Sequence, residues 1–294
     1  MNVIINLNKP KGMTSQQAVT HVKKIFGAKK AGHAGTLDPL ATGVLLICLG
    51  EATKITRFLM DKDKEYRAII KLGERTDTLD AEGTITEMKS VPSLSTHDIA
   101  EAAQGFLGTI LQRPPMYSAV KHQGKRLYEL ARKGLIVERP ERLVEIHHIG
   151  VTCVDLPFIS LTISCSKGTY IRTLCDDLGV RLGTVSHLVS LERTRTGIFA
   201  VELAAQIDQL SYPVIEARSN PFIHSLDNAL SEFNEILLSE DDHKKAKNGV
   251  PISTGNLQEM PTYTFLRLKS PLGKLFGIGR IENTYIAIDR IFNV

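Results

Sequence analysis

Hydrophobic and polar positions along the first fifty residues predict a strand, a helix and a second strand. Residues 3–7 (VIINL) are mostly apolar and run into NKPKG, a cationic loop sequence, so the first strand should end there. Thr14 and Gln17 have the spacing of a capping box, and the apolar residues at 18, 19, 22, 25 and 26 share one helical face. Residues 44–49 form a continuous apolar run between two glycines, which is typical of a buried strand.

The remaining pattern mixes both periodicities. Residues 66–72 and 158–166 alternate between apolar and polar positions, as strands do. Apolar residues at 99, 102, 103 and 106 predict a helix that ends at Gly108, and KGTYIRTLCDDLG has the pattern of a strand end that turns into a helix. Three apolar segments, at 263–268, 274–281 and 285–294, are spaced like the strands of a small β module. The chain is therefore predicted to belong to the α+β class.

The charge distribution changes this picture. The chain has 294 residues and a formal net charge of +4, yet residues 1–60 carry eight basic against two acidic side chains, and residues 113–142 carry eight against three. Two concentrated basic segments on a nearly neutral chain are expected of a protein that binds a polyanion. A solvated lysine-rich face gives the same pattern, and charge alone does not separate the two interpretations.

Residues 113–126 (RPPMYSAVKHQGKR) lie in the second basic segment and combine prolines, cations and an aromatic residue. This composition suits a protruding arm better than a core element. Lys121, Lys125 and Arg126 are its candidate contacts to a nucleic-acid backbone.

Cysteine usage and hydropathy bear on the compartment. The four cysteines have no pair at zinc-site spacing and stand in apolar or strand-like contexts, so we expect small buried hydrophobes in a reducing compartment and no metal site. The N-terminus lacks the pattern of a signal peptide, and no apolar stretch approaches the length of a membrane span. We therefore expect a cytoplasmic protein without membrane contact.

The stretch GHAGTLDPLATG, residues 32–43, places a single carboxylate, Asp38, in a glycine-rich loop before a predicted buried strand. A nucleophile or general base is best held on such a rigid support. A buried carboxylate needs a cation to stay ionised, and Arg172 of KGTYIR is the candidate partner. Two plainer interpretations stay open: Leu-Asp-Pro is a common turn opening, and Arg172 could pair with Asp176 or Asp177 on its own helix.

Six motifs in one order resolve these alternatives by resemblance. NKPKGMTS, GHAGTLDPLATG, KEYRA, PPMYSAVKHQGKRLYELARKG, KGTYIRTLCDDLG and HLVSLERTRTG together resemble the bacterial TruB family of tRNA pseudouridine-55 synthases. The match runs through most of residues 2–200. A weaker C-terminal likeness to a PUA-like RNA-binding module rests on KNGVPI, residues 247–252, and the closing strands.

The resemblance implies a two-part architecture. Residues 1–235 would form a pseudouridine synthase catalytic domain, a mixed sheet with flanking helices and an RNA-gripping basic insertion at about 110–145. Residues 236–294 would form the small β-rich PUA-like RNA-binding domain. The implied partner is the T-stem-loop of tRNA, and we expect a monomer with no obligatory protein partner.

The same resemblance assigns site residues. Asp38 would be the catalytic nucleophile, with Arg172 as its ion-pair partner. Tyr66 would stack on the target base and is a candidate for proton transfer. The remaining implied substrate contacts are Tyr170 and Leu191 at the base, His33 at the T-loop, and Lys9 and Pro10 near the pocket floor.

The reaction itself limits what the site needs. Moving uracil from an N-glycosidic to a C-glycosidic bond adds no atom and transfers no electron, so no cofactor is expected. Asp38 could attack the anomeric carbon, remove a sugar proton in a glycal route, or attack the pyrimidine ring, and the sequence does not choose among these. Two other functions are open as well: a non-catalytic RNA-binding or tRNA-folding protein, and a guide-RNA-dependent pseudouridylation subunit.

Overall fold

A ten-stranded sheet forms the larger part of the protein. The computed structural model describes residues 1–118, 120–131, 133–210, 220–253 and 261–293. The strands of this sheet are β1 (Val3–Lys9), β2 (Ala31–Ala34), β3 (Thr42–Leu49), β4 (Lys64–Leu72), β7 (Gly108–Gln112), β10 (Arg142–Asp155), β11 (Phe158–Cys165), β12 (Ser186–Thr196), β13 (Phe199–Ala200) and β14 (Ile223–His224). Its main path runs β14-β1-β3-β12-β4-β11-β10-β7, with β2 paired to β3 and β13 paired to β12.

Two short hairpins and seven α-helices accompany the sheets in the described part of the chain. The hairpins are β5 (Glu74–Thr76) with β6 (Ile85–Met88), and β8 (Lys121–His122) with β9 (Lys125–Arg126). The helices are α1 (Ser15–Ile25), α2 (Thr56–Met60), α3 (Thr96–Gln104), α4 (Leu127–Ala131), α5 (Ile171–Arg181), α6 (Leu226–Ala229) and α7 (Glu240–Lys247). In this part of the chain, no helix is both long enough and apolar enough to cross a membrane.

Strand β3 is buried on both faces, which explains the continuous apolar run in its sequence. Leu45 and Ile47 point into the core beneath α1, whereas Val44 and Leu46 belong to a second core on the opposite face of the sheet. Because successive strand residues face opposite sides, both sides of β3 must be apolar. The strand that follows Asp38 is therefore held by packing on both of its faces.

A second sheet of five strands follows the first. It is built from β15 (Asn234–Leu237), β16 (Ile252–Ser253), β17 (Phe265–Lys269), β18 (Leu275–Glu282) and β19 (Tyr285–Ile291), in the order β15-β17-β18-β19-β16. Leu275, Ile278 and Phe292 pack into the same core as Val44 and Leu46. The expected division between residues 235 and 236 cuts β15, so the second sheet begins slightly earlier than expected.

Most predicted elements are present, with two corrections. Helix α1 carries the predicted capping box at Thr14, and the three C-terminal apolar segments form β17, β18 and β19. The third helix, however, ends at Gln104 instead of Gly108, which begins β7. Cys153 is exposed, whereas the other three cysteines are buried, because its position on β10 faces solvent.

Candidate active site

Asp38 lies on the loop between β2 and β3, residues 35–41, which we name the Asp38 loop. Ser15 at the start of α1 holds this loop from one side: its Oγ accepts from Leu37 N at 2.8 Å and donates to Leu37 O at 2.9 Å. The turn closes on itself where Ala41 N donates to Asp38 O at 3.1 Å. The carboxylate therefore sits on a backbone whose polar groups are bonded to its surroundings.

Lys9 supports the same loop from below and does not line the cavity. Its side chain is fully buried, and Nζ donates to the carbonyls of Pro10 at 2.8 Å, Met13 at 2.7 Å and Pro39 at 3.4 Å. Burial lowers the pKa of Lys9 to about 8, although the charge of nearby Asp38 acts in the opposite direction. Pro10 lines a separate surface cleft beside α1. Lys9 thus supports the loop from behind, whereas Pro10 faces a different surface.

Arg172 connects α5 to the Asp38 loop. Its Nε lies 3.0 Å from Asp38 Oδ2, and its Nη1 lies 3.3 Å from Asp80 Oδ2. Nη1 also donates to Thr78 O at 2.9 Å, and Nη2 donates to Tyr117 O at 2.7 Å. The guanidinium is buried and its direction is fixed by four partners on three separate segments.

The charges around Asp38 oppose one another. Burial raises the pKa of the Asp38 carboxyl above its ordinary value, and this is the largest effect. The ion pair with Arg172 and the charge of Lys9 lower that pKa, whereas the neighbouring carboxylate of Asp80 raises it further. The ionised form of Asp38 therefore depends on Arg172.

The alternative pairing of Arg172 on its own helix is absent. Asp176 instead accepts from Arg75 Nε at 2.6 Å. The ion pairs of Arg172 in the described residues are with Asp38 and Asp80, as given above.

A cavity of about 560 Å³ opens beside Asp38. Tyr66 on β4, Leu191 on β12 and Tyr170 at the start of α5 line it together with Asp38 and Arg172. Asp38 keeps 37% of its side chain exposed toward this space. In the described part of the chain, no group of three His, Cys, Asp or Glu side chains could hold a metal ion. The cavity combines a carboxylate, its counter-charge and flat apolar walls, which suits a planar organic group.

Tyr170 is fixed through its backbone. Gln112 at the end of β7 accepts from Tyr170 N at 2.7 Å and donates to Tyr170 O at 3.0 Å. Burial raises the pKa of the Tyr170 hydroxyl, so this side chain stays neutral at physiological pH. The residue that precedes α5 thus presents a neutral aromatic ring to the cavity.

His33 lies on β2, just before the Asp38 loop, and is not one of the residues that line the cavity. Its Nδ1 is buried and has no hydrogen-bond partner among the described residues. Burial, with a smaller effect of Arg193, lowers the pKa of His33. A neutral imidazole next to the loop can still accept or donate one hydrogen bond to a ligand.

Sequence reasoning missed several charged residues of the site, and two of them, Asp80 and Arg193, contact Arg172 and the Asp38 loop. Asp80 follows β5 in a polar turn, and no periodicity or spacing pairs it with Arg172. Arg193 belongs to the motif HLVSLERTRTG, where only Leu191 is a predicted site residue. It is buried, lines the cavity and donates from Nε to Val44 O at 2.7 Å and from Nη2 to Gly35 O at 3.0 Å. Its position two residues after Leu191 on one strand face is the signal that could have identified it.

The predicted arm contains the hairpin β8–β9, in which Lys121 pairs with Arg126 and His122 pairs with Lys125. Lys125 is exposed. The side chains of Lys121 and Arg126 lie outside the described part of the structure. The hairpin forms a separate two-stranded sheet.

Comparison with known proteins decides the family. The model described as "TruB family pseudouridylate synthase (N terminal domain)" matches residues 23–171, and that described as "tRNA pseudouridylate synthase B C-terminal domain" matches residues 172–237. The chain belongs to the TruB family.

TruB relatives align over nearly the whole chain. A protein of Clostridium tetani named tRNA pseudouridine synthase B is 44% identical over 281 residues, covering 95% of this chain and 96% of the relative. A protein of the same name from Haemophilus influenzae is 45% identical over 259 residues, covering 86% and 82%. The alignments with these relatives thus include most of this chain and most of each relative.

Solved structures share the TruB fold. A chain of a Cbf5-Nop10-Gar1 complex superposes with a TM-score of 0.74 at 25% identity and covers 99% of this chain and 84% of that chain. A chain of an H/ACA ribonucleoprotein bound to a substrate RNA gives the same TM-score at 22% identity, covering 99% and 85%. These neighbours confirm the expected pseudouridine synthase-like fold.

Proposed function

We propose that this protein converts uridine 55 in the T-loop of tRNA to pseudouridine, with Asp38 as the nucleophile. The observation that carries the proposal is the ion pair of Asp38 with buried Arg172 at the wall of a cavity lined by two tyrosines and a leucine. Membership of the TruB family and the names of the relatives support tRNA as the substrate.

The reaction breaks the bond between uracil N1 and the sugar C1′ and forms a bond between uracil C5 and the same carbon. The proton lost from C5 balances the proton gained at N1, so no cofactor takes part. Attack on the anomeric carbon, removal of a sugar proton and attack on the pyrimidine ring all require an ionised carboxylate. Arg172 favours the ionised carboxylate, because its charge lowers the pKa of Asp38 that burial raises.

The cavity would receive a base that has left its stack. Tyr66 and Leu191 are buried on adjacent strands, where Leu191 pairs with Ala68 and Arg193 pairs with Tyr66. Aromatic and apolar walls offset part of the few kcal/mol that unstacking costs. They also limit water around the detached base.

The remaining surface would hold the RNA outside the loop. The basic segments 1–60 and 113–142 would contact the A-form backbone by shape and phosphate charge, with Lys121, Lys125 and Arg126 on the arm. His33 would contact the T-loop beside the vacated position. The large sheet would form the catalytic domain and the five-stranded sheet the PUA-like RNA-binding domain. We propose a cytoplasmic monomer that acts without a protein partner.

The test uses the purified full-length protein with unmodified tRNA, without guide RNA and with a chelator present. Because the isomerisation leaves the mass unchanged, the tRNA is first treated with a carbodiimide and then with alkali, which leaves the adduct on pseudouridine only. Mass spectrometry of nuclease fragments then locates the added mass. We expect conversion at position 55 by the wild-type protein. Asp38→Asn should reduce the rate more than about 100-fold and keep tRNA affinity within about tenfold, because the isosteric amide removes chemistry but few contacts.

Glu101→Gln is the matched control, because Glu101 is an exposed acid on α3. It should leave conversion unchanged. Binding without conversion by the wild-type protein would indicate an RNA-folding protein, and conversion only after a guide RNA is added would indicate a guided subunit. Either result overturns the proposal.

A further inference from the structure

Arg193 is a buried cation without a buried anion. It is 2% exposed and is the largest of the fully buried side chains. Its guanidinium donates to Val44 O at 2.7 Å, Gly35 O at 3.0 Å and Thr36 O at 3.5 Å. Among the described residues, it forms no ion pair with a carboxylate. Three neutral carbonyls therefore accept from a full positive charge.

Such a charge destabilises a fold unless something compensates for it, and an apolar side chain of similar size would fill the same space at lower cost. The position of Arg193 suggests where the compensation comes from. It lines the cavity beside Asp38, and it lies two residues after Leu191, so both side chains face the same side of β12.

Arg193 also connects two parts of the site. Its cross-strand partner on β4 is Tyr66, and both side chains line the cavity. Burial raises the pKa of the Tyr66 hydroxyl, and the charge of Arg193 opposes that rise. The same guanidinium bonds the backbone at Gly35 and Thr36, at the beginning of the Asp38 loop. One side chain thus fixes the tyrosine relative to the loop.

We propose that Arg193 is a positioning residue that holds Tyr66 against the Asp38 loop and places a positive charge facing the uracil base when it detaches. The inference rests on the proposed function. When the N1–C1′ bond breaks, its electron pair stays on the base, and the negative charge spreads over N1 and the two carbonyl oxygens. No proton has to move in that step. Arg193 acts on this charge through the Tyr66 hydroxyl.

The experiment measures single-turnover rate, tRNA affinity and melting temperature for Arg193→Met, Arg193→Lys, Tyr66→Phe and the double variant Arg193→Met/Tyr66→Phe. We expect Arg193→Met to be about 100-fold slower, with affinity within about threefold of wild type. Arg193→Lys should recover about tenfold of that loss, because it keeps the charge but cannot form the forked contacts. The double variant should be no more than about threefold slower than Tyr66→Phe, because the two residues act as a unit.

Arg195→Met is the matched control, because Arg195 lies on the same strand with an exposed side chain that faces Glu65 at 3.4 Å. Three results would each overturn the inference. The first is a rate within about threefold of wild type for Arg193→Met, and the second is a wild-type rate for Tyr66→Phe. The third is a double variant in which the losses of the two single variants multiply. If Arg193→Met fails to fold, a wild-type rate for folded Arg193→Lys overturns it instead. A wild-type protein that makes no pseudouridine refutes the proposed function itself.

Discussion

Arg172 is shared between two carboxylates: its Nε faces Asp38 at 3.0 Å and its Nη1 faces Asp80 at 3.3 Å. The two aspartates differ in their surroundings, since 37% of the Asp38 side chain is exposed to the cavity and 5% of the Asp80 side chain is exposed. Asp38 is the carboxylate that a substrate can reach. Asp80 is placed to hold the guanidinium, and the two acids should respond differently to substitution.

Arg172→Met should move the acid limb of the rate profile to higher pH. Burial raises the pKa of Asp38 and Arg172 lowers it, so removal of the guanidinium leaves that pKa higher. Because the proposed mechanism requires ionised Asp38, activity should be lost at neutral pH and return in part as the pH rises. Single-turnover rates from about pH 6 to about pH 9 measure the shift.

Arg75→Met is the control for this change, because Arg75 pairs with Asp176 and Glu87 outside the cavity. Its acid limb should stay in place. A profile of Arg172→Met that is parallel to wild type, with no displaced limb, would contradict the role given to the ion pair.

Asp80→Asn should displace the acid limb in the opposite direction. The Asp80 carboxylate raises the pKa of Asp38, so its neutralisation lowers that pKa and extends activity to lower pH. The maximal rate should nevertheless fall on the order of tenfold, because Arg172 Nη1 loses a charged partner. The measurement compares the pH–rate profiles of Asp80→Asn and Arg172→Met. If both acid limbs moved in the same direction, the roles given to Asp80 and Arg172 would be refuted.

The elements that the sequence predicted best are those with strong local signals. The capping box at Thr14 and the apolar face behind it define α1, and the run at residues 44–49 defines β3 because both of its faces are buried. The predicted end of α3 is wrong because Phe106 is apolar yet lies in the turn after the helix, where it packs against the core and under Arg181.

The candidate site was predictable only as far as motifs reached. Asp38, Tyr66, Leu191 and Arg172 line one cavity, and their roles there stay predictions. Asp80 was missed because its relationship to Arg172 arises when the turn after β5 folds over α5, and no local pattern encodes that approach. A tertiary contact, and not sequence spacing, places the second carboxylate beside Arg172.

Neutralising Lys121, Lys125 and Arg126 together should weaken tRNA binding and flatten its dependence on salt. The slope of log affinity against log salt should fall by roughly one unit for each phosphate that the variant no longer neutralises. Titrations at several salt concentrations measure it. Lys89→Met is the control, since Lys89 is an exposed lysine outside both basic segments. An unchanged slope would show that the three side chains make no phosphate contacts and that the hairpin is only a solvated surface.

Gly43→Ala should destabilise the protein far more than Gly12→Ala. Both glycines have positive φ, +96° and +82°, so both substitutions strain the backbone by about 1 kcal/mol or more. A Cβ at Gly43 would overlap the backbone of Arg193 on the neighbouring parallel strand, whereas one at Gly12 would meet open space. We expect a difference of about 3 kcal/mol in the free energy of unfolding, measured with denaturant. Equal losses would refute the close approach of β3 and β12.

The shared core between the two sheets fixes a distance. Leu46 on β3 packs in one cluster with Leu275 and Ile278 of the second sheet, and β3 is the same strand that begins at the end of the Asp38 loop. The second sheet thus packs on the strand that follows the Asp38 loop, on the face opposite the core beneath α1. Any RNA that contacted both sheets would therefore have to span a separation that this core sets.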